Sequence, residues 1–364
     1  MTDPRLVQTL EQLGAEGLIS ADPGIVKMLT GHDYDIETGP SVFALPAIVI
    51  ASGDASAVLV CSADEAEPSD VVVTYEGFTV GPIERVAGAR RAVAEAIERR
   101  GGTSARWAVD GASVPVGALP ALGDQLVAGA ALARLPAVKT AAETAAIEAS
   151  IAVCDAGQAA ARERSRDGVS ELELWNEVRA VMETRAGARI PGLLDLVSGV
   201  RAADAGGAPS TRTIASGDLV LIDLVPRVAG LWGDCCSTFL AGEPSAEQRA
   251  AHVAACAALD LGLGMLRPGA RSRDIDAALR AALATGGWAA YPHHTGHGLG
   301  FAWHEEPRIV PDGATVLEPG MIVALEPGVY AERWGLRVEQ VAVITETGHR
   351  VLSGHSLALE QLAG

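Results

Sequence analysis

The sequence predicts an α+β protein of two domains, the second containing a duplicated helix-helix-hairpin unit. Three observations carry this. The chain of 364 residues is longer than one typical domain. From Lys139 onward the order of two helical segments, an acidic hairpin, two helical segments and another acidic hairpin repeats in pattern, though hardly in identity. Between the hairpins, Tyr291 to Arg308 reads YPHHTGHGLGFAWHEEPR and holds four of the eight histidines among glycines.

Composition narrows the function classes. With 49% apolar and 20% charged residues the chain is globular rather than disordered. A net charge of −18 argues against nucleic acid, because phosphate binding needs a basic surface. No apolar run is long enough to span a bilayer, so no membrane partner is expected. MTDPRLVQTLEQLG has neither a basic n-region nor an apolar h-region, which speaks against a secretory signal. Five scattered cysteines, at 61, 154, 235, 236 and 256, fit reduced thiols and a cytoplasmic location.

Residues 1–135 read as the smaller α/β domain. A helix over Arg5 to Gly14 is followed by strand-like GLIS, SVFALPAIVIAS, SAVLVC and DVVVTYE, each closed by Gly, Asp or Ser. ERVAGARRAVAEAIERR at 84–100 is an amphipathic helix ended by two glycines, and RWAVDG is one more strand. No catalytic side chains cluster here; His32 is a loop residue. Residues 113–138, rich in Ala, Gly, Pro and Leu, read as a packed connector.

Residues 136–364 form the second domain. Helical periodicity runs through KTAAETAAIEASIAVCDAGQAAARER, and Ser170 with Glu173 caps a second helix. LLDLVSG, a Gly- and Ala-rich loop, and GDLVLIDLVPRVAGLWGDCCSTFLAG then supply strands, with a turn at residues 226–230. Ser245 with Gln248 caps a third helix and SRDIDAALRAALATGG is a fourth. After the histidine stretch, PGMIVALEPGVYAERWGLRVEQVAVI makes the second hairpin.

Each hairpin buries an acid in each strand: Asp223 and Asp234, eleven apart, and Glu326 and Glu339, thirteen apart. An ionised carboxylate in a buried strand costs several kcal/mol unless paired, hydrogen-bonded or metal-bound. Singly, Asp223 or Glu326 is as readily an acid at a fraying strand end, Asp234 a turn acid and Glu339 a partner of Arg337. Jointly, four carboxylates and the glycine-flanked His297, its ring left open by those glycines, make five ligands. That count suits two divalent cations about 3.5–4 Å apart. Such a pair would activate water against a polarised carbonyl, so hydrolysis of an amide or related C–N bond is expected. Oxygen-rich ligation with one imidazole suits Mn²⁺, with Co²⁺, Fe²⁺ and Zn²⁺ as alternatives.

These motifs resemble the pita-bread metallopeptidases: aminopeptidase P, prolidase and methionine aminopeptidase. LIDLVPRVAGLWGD is similar to the family's Asp-x10-Asp hairpin, HHTGHGLGFAWHEEP to its histidine motif, and ALEPGVY and RVEQV to its two glutamate motifs. The resemblance implies a pseudo-twofold pita-bread fold around a curved antiparallel sheet. It implies Asp223, Asp234, His297, Glu326 and Glu339 as metal ligands and Glu326 also as general base. By the same resemblance His304 contacts the substrate carbonyl, His293 lines the substrate pocket, and Arg337 braces the site. ADPGIVKMLTG at 21–31 resembles the creatinase/aminopeptidase P N-terminal domain, and VKTAAETAAIEAS resembles the Lys-x3-Glu start of the catalytic domain. The two-domain layout implies the Xaa-Pro branch, acting on a small peptide as a homodimer.

The chain departs from the family pattern at three places. Gly206 stands eight residues after Ser198, where a histidine is usual. Cys236-Ser237 replaces Thr-Arg after the second aspartate, and Gln340 replaces an acid after the last glutamate. An atypical substrate pocket follows. The alternatives are a creatinase-like hydrolase of a small non-peptide C–N substrate, or a non-catalytic binding protein on the same fold. His294 is expected behind the ligands or at the surface rather than among them, His349 and His355 toward solvent, and Trp232, Trp303 and Trp334 in core packing or shaping the pocket.

Overall fold

The computed structural model describes residues 3–33, 43–66, 68–77, 80–82, 84–127, 129 and 131–360. Ser41 and Val42, which open one of the expected strands, lie outside the described residues. The chain divides into two units, Met1–Pro136 and Ala137–Gly364.

The first unit is a six-stranded mixed sheet with helices on both faces. Its elements are α1 (Pro4–Leu13), β1 (Gly17–Ser20), α2 (Pro23–Thr30), β2 (Ile48–Ser52), β3 (Ala55–Ser62), β4 (Val72–Tyr75), α3 (Arg85–Glu98), β5 (Arg106–Val109) and β6 (Asp124–Val127), with strand order β4-β3-β2-β1-β5-β6. Strict alternation sorts the side chains. Leu18, Val49, Ala51 and Leu59 pack with α1 and α2, while Ile19, Ile48, Ile50, Val58 and Trp107 pack with α3. Two elements exceed the sequence reading. Helix α2 was signalled by Asp22, whose carboxylate accepts from the Ile25 amide, by Pro23 in the first turn, and by left-handed Gly31 at the end. Strand β6 lies inside the expected connector; four residues without periodicity become a strand because β5 offers a parallel edge.

The second unit carries the duplication. Its first half comprises α4 (Ala141–Arg164), α5 (Glu171–Ala186), β7 (Gly192–Ser198), β8 (Asp218–Val228), β9 (Leu231–Trp232) and β10 (Cys235–Ala241). Its second half comprises α6 (Ala246–Met265), α7 (Ser272–Thr285), β11 (Gly296–Gly298), β12 (Glu305–Ile309), β13 (Ile322–Leu325), β14 (Gly328–Tyr330), β15 (Gly335–Arg337), β16 (Gln340–Ile344) and β17 (His349–Val351). The capping boxes expected at Ser170 and Ser245 form, and Thr140 with Glu143 makes a third at the start of α4.

Strands β10-β8-β7 run antiparallel, as do β12-β11-β13-β16-β17. In the first sheet Leu196, Ile222, Leu224, Cys235 and Phe239 pack on α4 and α5. Alternation therefore turns Asp195, Asp223 and Cys236 to the opposite face, where they stand in one cross-strand row. In the second sheet Val323, Leu325, Ala342 and Ile344 pack on α6 and α7, which leaves the other face to the site.

The second hairpin is not continuous. The ladder β13-β16 passes into the ribbon β14-β15 across two breaks, at Glu326-Pro327 and at Val338-Glu339. The two expected glutamates sit at these breaks, where the backbone leaves sheet geometry. The sheets meet through Glu339, whose amide donates to the Cys236 carbonyl at 3.0 Å, and through Thr238. The Thr238 hydroxyl accepts from the Arg337 amide at 2.9 Å and donates to its carbonyl at 3.0 Å. Thr238→Val removes this stitch and leaves a buried amide and carbonyl unpaired. A loss of about 1–3 kcal/mol is expected by denaturant titration.

Candidate metal centre

His297 sits in the middle strand of three, β12-β11-β13. The flanking glycines do not open space around the ring, as the sequence suggested. They let neighbouring backbone approach: a Cβ on Gly296 would overlap the Ala324 carbonyl oxygen, and one on Gly298 that of Glu306. The ring itself is buried. Gly298→Ala is expected to push β12 away and shift His297. A melting scan should register about 1–3 kcal/mol of overpacking strain, and metal content should fall with it.

His297 Nδ1 lies 3.0 Å from the Gly298 carbonyl oxygen, an acceptor only, so Nδ1 carries the proton. Burial pushes the imidazole down to about 3, so it is neutral at physiological pH and Nε2 keeps its lone pair. That lone pair faces Asp234 Oδ2 at 3.4 Å and Glu326 Oε1 at 3.5 Å. With both carboxylates ionised, three acceptors face one another across these distances. A cation among them satisfies all three.

The surrounding carboxylates give the same picture. Donor atoms of Asp234, His297 and Glu339 lie within 4.8 Å of one another. Asp223 Oδ2 accepts from Arg337 Nη2 at 2.5 Å, while its Oδ1 is buried without a partner, as is Glu339 Oε1. Burial, and then the negative charges of its neighbours, push Asp234 and Glu339 well above the usual carboxylate range. Burial raises Asp223 to about 6 against the pull of Arg337. Glu326 is the exception: burial pushes it up, but contact with His294 and the Arg337 charge hold it well below its ordinary value. Four carboxylates in one dry pocket resist joint ionisation, and divalent cations remove that resistance.

The other expected residues surround this core. Arg337 is buried and reaches Asp223 and the Ala205 carbonyl; its Nε lies 3.5 Å from Glu326 Oε2 and 3.3 Å from Cys236 Sγ. It does not bond Glu339, the partner that strand spacing suggested. His304 stands with its ring 4.0 Å from that of His297, stacked on half-exposed Trp303. Burial lowers it to about 4, and His293 likewise. His293 is wedged between Tyr291, on which it stacks, and Tyr330, whose hydroxyl lies 2.9 Å from its Nε2.

Sequence reading missed two residues, His355 and Asp195, and left His294 between two places. Of the two places expected for His294, beside the ligands or at the surface, the structure has the first: its Nε2 lies 2.7 Å from Glu326 Oε1 yet off the hydrogen-bond line, and its ring abuts those of His297 and His304. His355, expected at the surface, is buried with Nε2 at 3.3 Å from the Cys236 carbonyl, behind the site. Asp195, an acid in the apolar run LLDLVSG, showed the same signal as Asp223 and lies opposite it across the ladder.

Residues 145–346 match metallopeptidase family M24. The chain belongs to that family. Among M24 relatives it is 28% identical to the uncharacterized peptidase YqhT of Bacillus subtilis over 348 residues, covering 94% of each chain. It is 32% identical to an Xaa-Pro dipeptidase of Pyrococcus furiosus over 219 residues, 59% of this chain and 63% of that protein. Among solved structures, an Xaa-Pro dipeptidase from Bacillus anthracis superposes with a TM-score of 0.82 at 23% identity, covering 98% of both chains. Prolidase from Pyrococcus furiosus superposes at 0.79 and 24%, covering 96% of this chain and 100% of that one. The fold is the pita-bread fold and the chain is a metal-dependent peptidase of family M24. Among the described residues no helix is long and apolar enough to cross a membrane.

Proposed function

We propose that this M24 peptidase is an Xaa-Pro peptidase in which Asp223, Asp234, His297, Glu326 and Glu339 hold two divalent cations, Mn²⁺ by preference. The observation that carries the ligand assignment is the His297 Nε2 lone pair facing Asp234 and Glu326 among buried carboxylates that resist joint ionisation. The proline preference rests on the Xaa-Pro dipeptidase and prolidase relatives. Free thiols at all five cysteines support a cytoplasmic location, and the family resemblance supports a homodimer and a creatinase-type N-terminal unit.

When bound, two such cations would polarise the scissile carbonyl and make a water more acidic. The protein's residues supply the rest. Glu326, the carboxylate kept ionised beside His294 and Arg337, accepts the proton of the attacking water and passes it to the leaving nitrogen. His304, neutral and half open, donates to the substrate carbonyl oxygen as it gains charge. His293, held by Tyr330, walls the pocket, and Arg337 fixes the Asp223 carboxylate.

Elemental analysis of the purified protein, with Gly-Pro di- and tripeptide assays with and without added Mn²⁺, tests this. About two ions per chain and Mn²⁺-dependent proline-peptide cleavage are expected, and the two peptide lengths separate dipeptidase from aminopeptidase. Two ions without cleavage would move the substrate outside the Xaa-Pro class. No metal under any loading condition would sink the ligand assignment.

A further inference from the structure

A side chain at position 206 would meet the Asp195 carboxylate. A Cβ added to Gly206 would overlap Asp195 Oδ2, so the Asp195 carboxylate already occupies the space that a side chain there would enter. Asp195 reaches it from β7, directly opposite Asp223 and on the same face of the sheet. The subsite where the family pattern places a hydrogen-bond donor is thus walled by an anionic acceptor.

Among the described residues this carboxylate has no counter-ion. The nearby arginines are engaged elsewhere. Arg201 bonds Glu171 and the Ala208 carbonyl. Arg212 bonds Ser198 and Asp218. Arg337 bonds Asp223 and the Ala205 carbonyl. Among the described residues Asp195 makes no hydrogen bond and no ion pair, and it is only partly buried, so its oxygens stay open to an incoming group. A carboxylate held by a strand rather than a loop is a fixed acceptor, and a charge-assisted bond to it is about twice as strong as a neutral one.

We propose that Asp195 is a specificity-determining residue that binds a protonated amine of the substrate. The amine is either the α-ammonium of an unblocked N-terminal residue or a basic side chain in the same subsite. The inference rests on the peptidase reading above for the identity of the substrate, but not for the binding of the cation. A polar donor at this subsite, which the usual histidine would supply, is replaced by an acceptor, so acylated or anionic groups are rejected here.

Calorimetric titration needs no turnover and so separates this idea from the choice of reaction. The Mn²⁺-loaded full chain is titrated with L-alaninamide, N-acetyl-L-alaninamide and N-acetyl-L-lysinamide, beside Asp195→Asn, which keeps the shape, and Gly206→Ala, whose methyl displaces the carboxylate. Losing one hydrogen bond to a charged group predicts roughly a 10- to 100-fold weaker cation affinity in both variants. Binding of the acetylated alanine compound and metal content should be unchanged. Preference for alaninamide identifies the α-ammonium, and preference for the acetylated lysine compound identifies a side chain. The proposal is overturned if the wild type shows no preference for either cation, or if Asp195→Asn keeps it. It is also overturned if Asp195→Asn carries fewer metal ions, since Asp195 would then be a ligand.

Discussion

Asp234→Ala protein is expected to fold, to lose at least one bound cation per chain, and to lose nearly all peptidase activity. Asp234 Oδ2 is one of two carboxylate oxygens facing the His297 lone pair, and its donor lies within 4.8 Å of those of His297 and Glu339. Removing an outer partner of a metal ligand costs roughly 10- to 100-fold in affinity or activity, and removing a ligand should exceed that range. Folding should survive, because the change also relieves charge crowding: burial and the neighbouring Glu339 already push Asp234 well up. Chelator-treated Asp234→Ala protein should therefore gain less stability from added Mn²⁺ than chelator-treated wild type. An Asp234→Ala enzyme that kept two ions and full turnover would remove this residue from the site.

The largest expected loss of stability lies at Lys139. Its ammonium is buried against Glu305 and also donates to the Ala137 carbonyl at 3.1 Å. Glu305 follows His304 in sequence and accepts from the Ala302 amide at 3.0 Å, so the pair ties the start of α4 to the histidine loop. Lys139→Ala would leave Glu305 as a buried charge, or force its protonation, which burial already favours. Breaking a buried pair on one side costs about 3–5 kcal/mol, and each kcal/mol lowers the melting temperature by roughly 2–4 °C in a domain of this size. Thermal melts of Lys139→Ala, Glu305→Leu and the double variant Lys139→Met/Glu305→Leu would check this. The double variant should recover most of the loss, because two apolar groups leave no orphaned charge. A Lys139→Ala melt unchanged within 2 °C of wild type would show the pair to be unimportant.

Much of the fold was legible because its signals are local. Ser170, Ser245 and the alternating apolar runs state their own helices and strands. The short strand β6 was not legible, since only the neighbouring edge of β5 makes it a strand. The same division holds at the site. Asp223, Asp234, Glu326 and Glu339 stood out as acids in apolar runs; the structure sets Asp234, Glu326 and Glu339 near His297 and Asp223 against Arg337. What spacing could not tell was pairing. Arg337 and Glu339 share a strand in sequence, yet Arg337 bonds Asp223 from the other half, because the two sheets meet at Thr238. His355 was misplaced for a related reason: its surroundings come from a segment distant in sequence. Asp195 was readable by the rule applied to Asp223, and only the absence of a matching family motif concealed it.

The stitch between the halves has a further consequence for how the protein reaches its working state. Asp223 and Asp234 lie about a hundred residues before Glu326 and Glu339 in the chain. Closing so large a loop is an entropic step that comes late relative to local helix and hairpin formation. On the proposed ligand assignment, neither half alone presents a complete coordination set. Cation affinity then becomes a proofreading signal: a chain that has folded one half but not the other captures metal weakly, and only the joined halves are stabilised in proportion to the logarithm of free cation concentration. Metal uptake during refolding would thus report the last long-range docking event, not the first collapse.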